Sequence, residues 1–195
     1  MDTERRAIAD ALLAASREHD AAQTDRVARY RNLEPESAEL LGVLVRATAP
    51  RTVLELGTSN GYSTLWLADA AAAVGAELVS VEIDPARTEQ ARANLERAGL
   101  TADLRVQDAG ALLRESADAA WGFVFLDAER PAYAGYWPDL LSVLAPGALL
   151  VIDNVLSHAE QVEEVTALIE AEPAVTTALV PIGAGLRVVV KDGPP

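Results

Sequence analysis

Past residue 50 the chain alternates between two textures, and no other feature of the sequence restricts its fold as strongly. Short β-branched or leucine-rich runs end near Gly57, Asp84, Gln107, Asp127 and Asp153, and alanine-rich stretches of helical period begin near Tyr62, Pro85, Ala109, Ala132 and His158. Strands that are apolar on both sides need helices on both faces, so the alternation predicts an α/β fold around a mostly parallel sheet. The tail breaks the rhythm. Val175 to Val180 and Leu186 to Lys191 read as two strands joined by Pro-Ile-Gly-Ala-Gly, an antiparallel hairpin that completes a seven-stranded sheet. Asp84-Pro85 supplies a cap and a first-turn proline for one helix, and Gly99 closes it. Ahead of this core, Asp2 to Ala49 has a helical pattern punctuated by Pro35, with Ala38, Leu41, Leu44 and Val45 at three- and four-residue spacing.

Composition bounds what such a fold can do. A chain of 195 residues and 20.6 kDa suits one domain, 1-195, with 1-50 as helices and 51-195 as the α/β core. Sixteen Lys and Arg stand against 30 Asp and Glu, a net charge of -14, which repels a phosphate backbone and excludes nucleic acid as a natural partner. There is no cysteine, so a metal would be held by oxygen or by His19 and His158. The charged amino terminus and the lack of a long apolar run argue against a membrane partner, and the expected location is cytoplasmic.

In a wound α/β sheet, ligands bind beyond the carboxyl ends of the strands, and here those ends are acidic: Glu55, Glu82, Asp84, Asp108, Asp127 and Asp153. Such an edge suits cationic ligands. The segment VLELGTSNGYS, Val53 to Ser63, reads as strand, glycine turn and helix start. A dinucleotide fingerprint would place glycines where Ser59 and Tyr62 stand, and Glu55 would repel a pyrophosphate. An acid followed by a glycine turn suits a phosphate-free nucleoside with a cationic tail, which describes S-adenosylmethionine, with Glu82 placed for ribose hydroxyls. A turn without a ligand is the bland alternative. Phe123 to Asp127 and Leu149 to Asn154 deliver two carboxylates and an amide oxygen to the same edge, a hard donor set for Mg²⁺ or Mn²⁺; helix capping by the two aspartates is the competing explanation.

These motifs, VLELGTSNGYSTLWLA, VSVEIDP, FVFLDAERPAY, LLVIDN and PIGAGL, together resemble the cation-dependent, class I O-methyltransferases of the catechol and caffeoyl-coenzyme A type, in a small bacterial form. The resemblance spans Pro35 to Lys191. It implies a single-domain Rossmann-like methyltransferase fold and a transferase that uses S-adenosylmethionine. It also implies a divalent cation, a hydroxylated aromatic acceptor with adjacent oxygens, and a homodimer. The implied cofactor residues are Glu55, Gly57, Thr58, Ser59, Gly61, Tyr62 and Ser63 around the turn, then Glu82 and Ile83, Asp108 and Ala109, Asp127, and Tyr133. Asp127, Asp153 and Asn154 match the metal ligands, and Asp127, Arg130 and His158 are the candidate catalytic residues. Two departures stand out. Arg130 occupies the place of a family lysine proposed as a base, and Val155-Leu156-Ser157-His158 stands where relatives often carry Trp and Gly. A guanidinium holds an anion but cannot accept a proton. Tyr133, Tyr136 and Trp137 could wall an aromatic ring or serve as core. The helices before residue 50, with Arg26, Arg29, Tyr30 and Arg31, are expected at a lid or dimer surface. A non-catalytic S-adenosylmethionine-binding protein and an aminopropyltransferase on the same fold are the rival readings.

Overall fold

The computed structural model describes residues 1–193. Pro194 and Pro195, which close the expected domain, lie outside the described residues. Seven strands form one sheet in the order β3-β2-β1-β4-β5-β7-β6. Five run parallel: β1 (Thr52–Leu56), β2 (Glu77–Glu82), β3 (Asp103–Val106), β4 (Trp121–Leu126) and β5 (Leu144–Ile152). β7 (Leu186–Lys191) pairs antiparallel with both β5 and β6 (Val175–Val180), so the expected hairpin sits at the sheet edge.

Strand parity divides the core. Along β4, Phe123 and Phe125 face one apolar layer and Val124 and Leu126 the other, all fully buried. The first layer packs under α1 (Thr3–Ala22), α2 (Pro35–Thr48), α3 (Tyr62–Val74) and α4 (Pro85–Arg97); the second packs under α5 (Ala109–Glu115), α6 (Tyr133–Val143) and α7 (Ala159–Ala171). The helix starts follow the capping chemistry legible in the sequence: Asp2, Asp84 and Asp108 each accept a first-turn amide, from Arg5, Ala86 and Ala111. No helix among the described residues is long and apolar enough to cross a membrane.

The helical pattern expected from Asp2 to Ala49 is interrupted: residues 23–34 form an irregular segment between α1 and α2. Its hydrogen bonds are tertiary. The Asp20 carboxylate accepts the amides of Tyr30 and Arg31 at 2.7 and 2.8 Å, Arg87 donates to the carbonyls of Val27 and Arg29, and Ser59 donates to the Tyr30 carbonyl. The amino-terminal helices are fastened at their other end by Asp69 of α3. Burial alone would raise its pKa, but Arg46 at 2.5 Å, Arg5 at 2.9 Å and the terminal ammonium at 3.1 Å lower it below the usual value.

The order of strands reverses between β1 and β4, and the chain closes that switch point tightly. Gly57 follows β1 with φ +109°, and a Cβ there would lie 2.1 Å from the Asp127 carbonyl oxygen. No rotamer relieves a clash with backbone, so Gly57→Ala combines positive-φ strain with displacement of the Asp127 turn. The expected cost is roughly 3 kcal/mol or more in urea unfolding, with cofactor binding lost in whatever remains folded. A loss under about 0.5 kcal/mol would mean the two turns are not locked together.

Candidate active site

The loops beyond β1 to β5 and the segment 24–34 enclose a cavity of about 610 Å³ at the switch point. Gly57, Thr58, Ser59 and Ser63 of the glycine turn line it, as do Glu82, Ile83, Asp108 and Ala109 from the next two strand ends. The Glu82 carboxylate accepts the amides of Ser59 at 2.9 Å and Asp84 at 3.1 Å, which fixes its orientation while leaving lone pairs for a ligand. Ile83 offers an exposed apolar face at the rim.

Four residues expected at the cofactor do not reach the cavity wall. Glu55 is 0 % exposed inside β1, where Ser63 donates to its Oε1 at 2.5 Å and Thr64 and Ser80 donate to Oε2 at 2.6 Å. Strand parity turns it toward α3 instead of the crevice. Gly61 faces Ala91, whose Cα would lie 2.9 Å from an added Cβ, so this glycine seats α3 against α4. Tyr62 is packed in the core. Tyr133 is fully buried and donates to the Ala128 carbonyl at 3.1 Å, so it braces the turn that carries Asp127. Of the candidate aromatics, Tyr136 lines the cavity and Trp137 belongs to the core.

Asp127, Asp153 and Asn154 converge at one end of the cavity. Asn154, at φ +66°, donates Nδ2 to Asp153 Oδ2 at 2.6 Å and toward Asp127 Oδ1 at 3.4 Å. Asp153 is 2 % exposed, and its Oδ1 is buried without a hydrogen-bond partner. Burial raises the pKa of both carboxyls, and the charge of Asp127 raises Asp153 further. The amide hydrogens thus sit between two facing carboxylates that have too few donors.

Arg130, on a short 3-10 turn (Arg130–Ala132), is 6 % exposed yet lines the cavity. Its Nε donates to Gln161 Oε1 at 2.8 Å, and among the described residues no other hydrogen-bond partner and no carboxylate within ion-pair distance is found. His158 precedes α7. Its Nε2 is 3.2 Å from Arg26 Nη2 and its Nδ1 2.9 Å from Ser157 Oγ. Arginine can only donate, so Nε2 accepts and Nδ1 carries the proton. Burial, then Arg130, Arg26 and Arg31, lower the pKa of His158 below its usual value.

The segment expected as a lid or dimer surface is therefore the outer wall of the cavity, which Arg26, Arg29, Tyr30 and Arg31 line together with Arg87 of α4. Asn32, Arg87, Gln107 and Ala184 also line it and were not anticipated. The run of arginines from 26 to 31 was the available signal for the outer wall. Gln107 directly precedes the expected Asp108.

Comparison with known proteins identifies the family and the fold. Residues 5–192 match the O-methyltransferase family model. A catechol O-methyltransferase of Niastella koreensis is 33% identical over 174 residues, covering 87% of this chain and 75% of that protein. One from Mycobacterium tuberculosis is 36% identical over 148 residues, covering 75% of this chain and 65% of its own length. Among solved structures, the O-methyltransferase TomG of Streptomyces achromogenes, in complex with S-adenosylmethionine, superposes with a TM-score of 0.80 at 26% identity, covering 99% of this chain and 91% of TomG. The fold and the crevice define a Rossmann-like transferase. The chain belongs to the S-adenosylmethionine-dependent O-methyltransferase family.

Burial outweighs the three hydroxyl donors at Glu55 and raises its pKa from 4.5 to about 7. A carboxyl whose pKa is raised on folding favours the fold below its unfolded pKa, and that contribution is lost as pH climbs through the folded value. Thermal melts should show wild type losing stability relative to Glu55→Gln between about pH 5 and about pH 8, by on the order of 3 kcal/mol. Parallel profiles would show that Glu55 is ionised throughout.

Proposed function

We propose that the chain transfers the methyl group of S-adenosylmethionine to one of two adjacent hydroxyl oxygens on a small catechol-like aromatic, with a divalent cation held by Asp127, Asp153 and Asn154. The observation that carries the metal is the Asp153 carboxylate: a buried oxygen without a donor, facing a second carboxylate across an amide. The amide presents Nδ2 to the carboxylates and its Oδ1 to Ser157 Oγ; turned over, it would complete an all-oxygen set of the kind that suits Mg²⁺ or Mn²⁺. Held there, a divalent cation would supply Lewis acidity to the acceptor hydroxyl.

The chain's own residues do the remaining work. Glu82, held by two backbone amides, receives the ribose hydroxyls of the donor. Asp127 lies against Gly57 and attracts the cationic methionine end. Asp108 and Ala109 border the adenine, and Ser59 and Ser63 border the donor from the turn. Arg130 remains protonated at any working pH, so it cannot take the hydroxyl proton; its unengaged Nη groups favour negative charge on the acceptor instead. The acceptor itself lies between Asp153, Tyr136 and the arginine wall, closed off from much of the solvent by segment 24–34. His158 Nε2 already accepts from Arg26, which leaves that nitrogen no free lone pair for a substrate proton.

Two measurements test this. Asp153→Asn should lose Mg²⁺ binding in calorimetry and lower methyl transfer to catechol roughly 100-fold, with S-adenosylhomocysteine affinity within about threefold of wild type. Turnover that survives EDTA, or unchanged Mg²⁺ binding in the variant, removes the metal from the proposal. His158→Ala should leave kcat within about threefold from roughly pH 6 to 9, whereas a catalytic base there would cost about 100-fold or more.

A further inference from the structure

The acceptor half of the cavity holds more fixed positive charge than methyl transfer to a neutral catechol requires. In a protein of net charge -14, guanidinium groups from two separate parts of the chain line the cavity together with His158: Arg26 and Arg31 from the outer wall and Arg130 from the turn after β4. Arg26 meets the ring directly at 3.2 Å. Arg31 has one loose pairing, to Glu129 at 3.4 Å, and Glu129 points largely into solvent at 78 % side-chain exposure. Arg130 is the telling member. It is 6 % exposed, and among the described residues its Nε alone is bonded and no carboxylate lies within 4.0 Å of the guanidinium, which opens into the cavity.

Arg130 feels the charges of Asp127 and Asp153 without bonding to either, and its free N–H groups open to the cavity, where an arriving anion can reach them. Asp127 and Asp153 do not supply that anion at contact distance. If a divalent cation neutralises that pair, the other acids of this wall are Glu34 and Glu129, which pair with Arg17 and Arg31, and Arg26 and Arg130 have no ion-pair partner among the described residues. Guanidinium presents N–H groups in a planar fork, which matches a carboxylate better than it matches a lone phenolic oxygen.

We propose that Arg130, Arg26 and Arg31 form a receptor for a carboxylate carried by the methyl acceptor, so that the preferred substrate is a catechol with an anionic substituent in place of a neutral or amine-bearing one. This rests on the catechol-like acceptor proposed above and adds its charge. Arg26 and Arg31 act as specificity residues at the rim. Arg130 reaches the substrate from below. The segment that carries the rim pair is braced by Asp20 and Arg87, so the two charges are held in place before any ligand arrives.

The experiment compares dihydroxybenzoate, unsubstituted catechol and dihydroxyphenylethylamine on the full chain with Mg²⁺. Binding is read by calorimetry in the presence of S-adenosylhomocysteine, so it does not depend on turnover. Wild type should bind dihydroxybenzoate at least about tenfold more tightly than catechol and should bind the amine most weakly. Arg26→Gln combined with Arg31→Gln, both at exposed positions, should reduce the benzoate-to-catechol binding ratio at least about fivefold. Arg130→Lys, which keeps the charge but not the fork, should weaken the benzoate more than catechol. A ratio near one in wild type overturns the inference, as does an equal loss for both ligands in the variants. If the variants weaken S-adenosylhomocysteine and spare the ratio, the arginines hold the donor's carboxylate and the inference also falls. Methyl transfer to unsubstituted catechol is measured separately. Its absence would count against the acceptor class, whereas the binding ratio alone decides the receptor.

Discussion

Everything at the crevice depends on how closely the ends of β1 and β4 approach each other. The Asp127 amide donates to the Leu56 carbonyl at 2.9 Å, and the α-carbon of Gly57 lies where any side chain would strike the Asp127 carbonyl. That contact fixes the separation between the turn that faces a nucleoside and the carboxylate that faces a cation. Behind it, the Glu55 network ties β1 to β2 through Ser80 and to α3 through Ser63 and Thr64, so the turn is braced from within. Such a buried, fully donated carboxylate favours one arrangement of three elements over others at some cost in stability.

Most of the architecture was legible because each strand end and helix start is written in local chemistry. The aspartate caps at 84 and 108, the apolar runs before Asp127 and Asp153, and the glycine-containing link between β6 and β7 all act within a few residues. The interruption at 23–34 was not, since nothing in that stretch breaks a helix by itself. Its course is set by Asp20 and Arg87, partners that the sequence cannot place beside it. The inward position of Glu55 had a readable signal in strand parity. Glu55 shares a face with Val53, not with Leu54 and Leu56, and that face meets the hydroxyl-bearing start of α3. Tyr133 and Tyr62 are similar: type and spacing suggested a ligand, whereas burial makes them scaffold.

Charge is distributed with a purpose that composition conceals. The excess of acid is mostly solvated surface, while two opposed sets of charge meet inside the crevice: carboxylates on the strand ends and guanidinium groups on the wall above them. Each set leaves polar atoms of the other unmatched at contact distance, notably Asp153 Oδ1 and the Nη groups of Arg130. Ligands bearing both signs would settle both accounts of unmet hydrogen bonding at once.

The wall that bears the arginines is attached to the remainder of the molecule through polar contacts: with the end of α1 at Arg17 and Asp20, with Arg87 of α4, with Ser59 of the glycine turn, and through Arg26 and Arg31 with His158 and Glu129. Between Gln23 and Arg29 the side chains face outward or into the crevice and bury little apolar area. That short span is an interchangeable cassette. Related enzymes, or an engineer, could rewrite it to admit differently decorated aromatics while the sheet, the donor seat and the paired aspartates keep their coordinates.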